Sequence, residues 1–197
     1  MTPITVRAML ALLIALQVPG ASFFSVTDGQ RETYEEGAQR YHTIARAIVD
    51  GTKGRPTLAR YVASVFFEES TLRLDVHRGD NHHGGPTPHE DRGWAWCLGQ
   101  RHLGPTSKYG RTLVGVDYAA TRRCVTETIA VLRWSIGGCG GLAAARATCV
   151  FGRYGGVKYP SKHEGIAARV ATFKKTARSF ELPERAAKAI KWTSKKD

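Results

Sequence analysis

Residues 58–100 read LARYVASVFFEESTLRLDVHRGDNHHGGPTPHEDRGWAWCLGQ. An apolar run ends in two glutamates, a polar Gly/Pro-rich loop follows, and a Trp-rich return closes at Gln100. Pro56 suits a first helical turn, so a helix is expected from about Thr57. At 100° per residue, Leu58, Tyr61, Val62, Val65 and Phe66 share one apolar stripe. Glu69 falls near the middle of that stripe, Glu68 at its edge, and Phe67 on the opposite side. The spacing therefore sends one of two adjacent glutamates toward the interior. Burial disfavours the charged form of a carboxylate and raises its pKa. An acid held near neutral pH is what protonating a leaving oxygen requires. Helix geometry alone leaves a second reading open, in which Glu69 is solvated or paired with an arginine such as Arg73.

Glu69-Ser70-Thr71-Leu72 resembles the E-S-x-F/L signature of lysozyme-like lytic transglycosylases. Cys97-Leu98-Gly99-Gln100 is similar to that family's G-L-M-Q, with Cys97 in place of glycine. The stretch from Asp75-Val76-His77 to Gln100 resembles a secreted bacterial variety with a longer loop and a Trp-Cys-Leu pair of motifs. Phe151-Gly152-Arg153-Tyr154 stands where the family has Tyr-Asn-x-Gly or Tyr-Ala-x-Gly, and departs from it. The resemblance covers roughly residues 58–175. It implies a lysozyme-like helical domain, with Glu69 as the single catalytic acid and Ser70 and Gln100 as substrate contacts. It also implies cleavage assisted by the substrate's own N-acetyl group, ending in a 1,6-anhydro product.

The chain has 197 residues, 42% hydrophobic and 23% charged, enough for one domain with a real core. Lys and Arg exceed Asp and Glu by 29 to 17, a formal charge of +12. Such a balance points to a polyanionic partner, whether wall polymer, nucleic acid or acidic membrane surface. Arg7 precedes an apolar run over 8–18 and then Pro19-Gly20-Ala21-Ser22. That suits a secretory signal over 1–21, cleaved near 20–22, and is too short to span a bilayer comfortably. A buried N-terminal helix or an uncleaved anchor is the alternative. Cys97, Cys124, Cys139 and Cys149 fit an exported, oxidised protein. Four cysteines allow three pairings. Cys124–Cys139 would close a helix-turn unit, and Cys97–Cys149 would then brace the Trp-rich return. There is no C-x-x-C pair to suggest a zinc finger or thioredoxin site.

In chain order, Asp28 can cap a helix over 29–50, with Tyr34, Ala38, Tyr41, Ala45 and Ile48 on one face and Gly51 as its stop. Residues 73–92 read as loop, with His77, His82, His83 and His89 beside Asp80 and Asp91. Imidazole and carboxylate are good metal ligands, but no helical H-x-x-x-H pair is present. A saccharide-contacting loop is therefore expected rather than a metal site. Trp94 and Trp96 can stack on sugar rings or pack in the core. Residues 103–116 read as loop or short hairpin. Asp117 caps a helix over 118–136, with Cys124, Val125, Ile129 and Leu132 on its stripe. A small-residue helix is expected over 142–150, and Arg153-Tyr154-Gly155-Gly156 ends it, with Tyr154 a possible substrate contact. Ser161-Lys162-His163-Glu164 reads as a capping box starting a helix to Ser179. Arg169 on that helix could face the cleft, though an arginine there reads first as a surface residue. Residues 181–197 form a basic tail suited to anionic polymer.

The expected fold is mainly α: a lysozyme-like domain over 28–180, a long Gly/Pro/His loop and at most a small hairpin. The leading functional expectation is an exported glycosidase acting on peptidoglycan glycan strands. It is expected to be monomeric and periplasmic or extracellular, of bacterial or phage origin, with no cofactor, metal, nucleic acid or stable membrane span. A hydrolytic muramidase would add a second carboxylate, Asp91 or Asp80, about 6.5–9.5 Å away. The single-acid mechanism leaves Asp91 as a structural or binding residue. A non-catalytic, basic wall-binding protein is the reading from another class.

Overall fold

The computed structural model describes residues 3–17, 32–79, 95–103, 107–157 and 160–176. Asp28, Asp80, Asp91, Trp94, His82, His83, His89 and the 181–197 tail lie outside the described residues. Within them the protein is mainly helical, with eight α-helices and one two-stranded hairpin.

Helix α1 (Val6–Leu16) is apolar on every face beyond the exposed Arg7, and its residues from Met9 to Ile14 are buried. Such a helix needs cover on every side. It packs against α2 (Tyr34–Thr52), α3 (Pro56–Ser70) and α8 (Glu164–Thr176). The apolar run read as a leader is thus helical and sits in the core.

Helix α2 starts at Thr33 rather than at Asp28. Thr33 Oγ1 accepts from the Glu36 amide, and Glu36 accepts from the Thr33 amide, so two otherwise orphaned donors are satisfied together. Gly51 is not the stop but a point of close approach. A Cβ there would lie 2.6 Å from Val125 Cγ1 of α6 (Tyr118–Gly138). The helix ends at Lys53, in the left-handed region.

Helix α3 begins at Pro56, and Leu58, Tyr61, Val62, Val65 and Phe66 are all buried, as their spacing predicts. Thr71 and Leu72 both take positive φ and turn the chain sharply after Ser70. The region expected to be loop instead opens with a short helix, α4 (Leu74–Arg78), whose Leu74, Asp75, Val76 and His77 are buried.

The hairpin is earlier than expected. Strand β1 (Ala95–Trp96) pairs antiparallel with β2 (Arg101–His102), Trp96 opposite Arg101. Within 107–116 the chain forms α5 (Lys108–Arg111), capped by Ser107. Asp117 caps α6 as expected, accepting from the Ala120 amide. Residues 144–146 are a 3₁₀ turn, and α7 (Ala147–Tyr154) begins after it, later than expected, and runs on to Tyr154; Gly155-Gly156 then turn the chain as expected. Ser161 also lies in a 3₁₀ turn, and α8 starts at Glu164. A capping box needs the glutamate at the third helical position, so this one does not form.

Tyr61 of α3, Phe151 of α7 and Phe173 of α8 meet at the centre of the core. Tyr61 stacks on Phe173 at 4.2 Å between ring centres and lies 5.2 Å from Phe151. Arg60 donates to the Phe173 carbonyl at 2.8 Å and to Thr176 Oγ1 at 3.1 Å. These contacts lay α8 antiparallel along α3 and bring residue 169 beside residue 69.

The disulfides are Cys97–Cys124 and Cys139–Cys149, not the pairing expected from the sequence. The first ties the hairpin turn to α6, the second ties the end of α6 to the start of α7. All four cysteines are bonded, which fits an oxidising compartment. No described helix is long and apolar enough to cross a membrane.

Candidate functional site

Glu69 lies in the last turn of α3, where the helix leaves the core. Its side chain is 17% exposed and lines a cavity of about 300 Å³ together with Glu68, Ser70, Thr71, Arg73, Val76 and Gln100. Burial raises its pKa above the ordinary 4.5. Arg169, by charge and by hydrogen bond, and His102, by charge, oppose the rise, while neighbouring Glu68 adds to it. Burial outweighs the cation, so the group is a weaker acid than a solvated glutamate.

Neither of the two readings left open for Glu69 holds in full. It is half-buried, and it is paired, but not with Arg73. Arg73 donates to Asp75 Oδ1 at 2.9 Å and closes an ion pair with its other oxygen. The partner of Glu69 is Arg169 of α8, with Nε at 3.1 Å and Nη2 at 2.6 Å, both on Oε1. The surface placement expected for Arg169 is thereby corrected. Its spacing carried the signal: Ile166, Arg169 and Phe173 are separated by three and four residues, so they share one face. Thr172, one turn on, donates to Glu68. The apolar neighbours of that stripe are what carry the two polar side chains to the cavity.

Gln100 reaches the same cavity from the hairpin turn. Its backbone takes φ 47° and its backbone N–H donates to the Cys97 carbonyl at 2.9 Å; its side-chain Nε2 donates to the same carbonyl at 3.3 Å, which folds the side chain back over the turn and leaves Oε1 for the cavity. Gly99 lies flat against α6, since a Cβ would approach Thr128 Oγ1 to 2.2 Å. Cys97 takes φ 57°, a conformation that favours glycine. Its bond to Cys124 ties it to α6 in that conformation.

Other residues singled out from the sequence are spent on the scaffold. Ser70 lines the cavity, but its hydroxyl donates to the Phe66 carbonyl at 2.6 Å and accepts from the Leu72 amide. Trp96 is 3% exposed and lies against Gly110, where a Cβ would come within 2.6 Å of the indole. Tyr154 donates to the Gly99 carbonyl at 2.8 Å, bracing the turn that carries Gln100. Burial raises its pKa above 10, and the Glu69 carboxylate raises it further. Trp94 and Asp91 lie outside the described residues. Among the described residues no group of three or more His, Cys, Asp or Glu is placed to hold a metal ion.

The arrangement is a small polar cleft on a helical frame. A carboxyl group of raised pKa lies in it, with an amide side chain from an independent element lining the same space. Such a group can give up a proton to a bound oxygen and accept one later. No family model, curated protein or solved structure matches the chain.

Proposed function

We propose that this protein is an exported peptidoglycan-cleaving enzyme, a lytic transglycosylase with Glu69 as its one general acid and base. The observation that carries the reading is the half-buried Glu69 in a cavity it shares with Gln100. The order of the motifs Glu69-Ser70-Thr71-Leu72 and Cys97-Leu98-Gly99-Gln100 adds support. Glu69 gives its proton to the oxygen of the β-1,4 bond between N-acetylmuramic acid and N-acetylglucosamine, and that bond breaks. The N-acetyl carbonyl of the muramic residue stabilises the cation left at C1. Glu69, now a carboxylate, takes the proton of the C6 hydroxyl, whose oxygen bonds to C1 and gives the 1,6-anhydro product. Gln100 is suited to hold an N-acetyl or hydroxyl group meanwhile.

A charge of +12 suits a wall rich in carboxylate and phosphate. The disulfides suit export, and an N-terminal leader ending near 20–22 supplies the route. Its removal takes away α1 and uncovers the faces of α2, α3 and α8 that α1 covers. Asp75, a further acid of the same stretch, is 1% exposed and tied to Arg73, which suits a structural role.

Purified walls test the proposal by turbidity loss and product analysis. Glu69→Gln is expected to lose roughly 10²–10⁴-fold in lytic rate while still binding glycan. Products ending in 1,6-anhydromuramic acid support the transglycosylase, and reducing ends would make it a hydrolase. Full activity in the variant would leave only a basic wall-binding protein.

A further inference from the structure

Three arginine–carboxylate pairs are wholly or partly buried among the described residues, and one is built differently. Arg40 sets Nε on Glu32 Oε2 at 2.7 Å and Nη2 on Oε1 at 2.5 Å. Arg73 likewise divides Nε and Nη2 between the two oxygens of Asp75. Both are fork-to-fork pairs in which each carboxylate oxygen is occupied, the usual geometry of a structural pair. Arg169 instead converges both donors on Oε1 of Glu69. Oε2 takes no hydrogen bond from a described residue.

We infer that Arg169 is a positioning residue for the acid proposed above, holding Oε1 so that Oε2 is the oxygen that carries and delivers the proton. Two N–H groups aimed at Oε1 leave no room for a proton there, since a guanidinium donates only and is always charged. The fork therefore selects one oxygen and fixes the plane of the carboxyl group. It also stays in place when the proton leaves, and its charge then stabilises the carboxylate that must act as base. A pair that occupied both oxygens would serve neither step. The remaining charged or titratable groups around Glu69 are Glu68 on its own helix, Arg73 after it, Arg101 and His102 on β2, and Tyr154 on α7. None of them donates to Glu69.

The inference rests on Glu69 being the acid, and its test is chosen to separate the two. One readout is the titration of Glu69 by carbon NMR of labelled glutamate, identified by its loss in Glu69→Gln. Removing the guanidinium in Arg169→Gln, which keeps a side chain of similar size, is expected to raise the midpoint by roughly 1 to 3 pH units. The other readout is the pH profile of lysis. In Arg169→Gln the alkaline limb moves to higher pH, and the plateau rate falls at least 10-fold. Arg169→Lys returns the limb toward its original pH, because the charge is back, yet leaves the plateau low, because a point charge lacks the fork. An unmoved midpoint, or full recovery of the plateau by lysine, would overturn the role given to Arg169. An active Glu69→Gln enzyme would overturn the acid assignment instead, and the NMR titration would still report whether Arg169 governs that carboxyl. Should Arg169→Gln fail to fold by circular dichroism, the lysine variant alone carries the test through its plateau.

Discussion

At the scale of single residues, the placement of Glu69 depends on a side chain far from it in sequence. Arg40 of α2 is 4% exposed; besides gripping Glu32, it donates Nη1 to the Leu72 carbonyl at 2.8 Å. Thr71 and Leu72 at φ 47° and 56° are in a region that costs most side chains about 1–2 kcal/mol each. Such strain persists only where surroundings impose it, and the Arg40 bond is one such constraint. Arg40→Met strips Glu32 of its guanidinium and the Leu72 carbonyl of its donor. The loss is expected to be about 3–5 kcal/mol, read as a lower urea midpoint. Arg40→Met with Glu32→Leu should recover most of this, because buried ion pairs replaced by apolar groups are often neutral. A residual deficit of about 1 kcal/mol is expected from the unmet carbonyl. If the double variant is no more stable than the single, the uncompensated charge is not what Arg40 relieves.

At the scale of elements, the hairpin turn shows how a short motif becomes a site wall. Cys97, Gly99 and Gln100 each meet a different demand: left-handed backbone locked by a disulfide, close approach to α6, and a polar group in the cavity. Breaking the disulfide in Cys97→Ala/Cys124→Ala opens a loop closed over 27 residues, worth about 3–4 kcal/mol on chain entropy. Cys97→Gly/Cys124→Ala should lose about 1 kcal/mol less, since glycine takes φ 57° freely. Equal melting temperatures for the two would remove the backbone argument. Elements with long periodic stripes were legible in the sequence: the α3 stripe and the Asp117 cap of α6 follow from spacing alone. The disulfide pairing was not legible, because it depends on how the turn and α7 meet the two ends of α6. Helix α4 escaped because five residues are too few for a period. The start of α2 was readable after all: Thr33-x-x-Glu36 offers a reciprocal cap and Asp28 a single one. For Arg169 the residue type points to the surface, and its place on the Ile166–Phe173 stripe points to the cleft, where it lies.

At the scale of the whole molecule, two buried titratable groups give the fold opposing responses to acid. His77 is fully buried, and its Nε2 lies 2.8 Å from Thr121 Oγ1. The Thr121 hydroxyl already donates to the Asp117 carbonyl at 2.7 Å, so it must accept from His77 Nε2–H. Nδ1 then has no partner among the described residues, and a second proton would be an unmet buried donor. Burial, and the Arg40 charge after it, hold the His77 pKa well below 6.5. From pH 6.5 downward the unfolded chain binds a proton that the native chain refuses, so stability falls by up to about 1.4 kcal/mol per pH unit. Glu69 works the other way. Its native pKa is raised above 4.5, so between those values the native state binds the proton first. Stability from this group grows as pH falls toward 4.5 and is lost as pH rises through the native value. Thermal melts from pH 7 down to pH 4.5 separate the two. His77→Gln should flatten the acid loss, since glutamine can donate to Thr121 without titrating. Glu69→Gln should steepen it, because the compensating uptake is gone. If both variants keep the wild-type slope, neither group is buried as described, and the proton economy assigned to the cleft loses its basis.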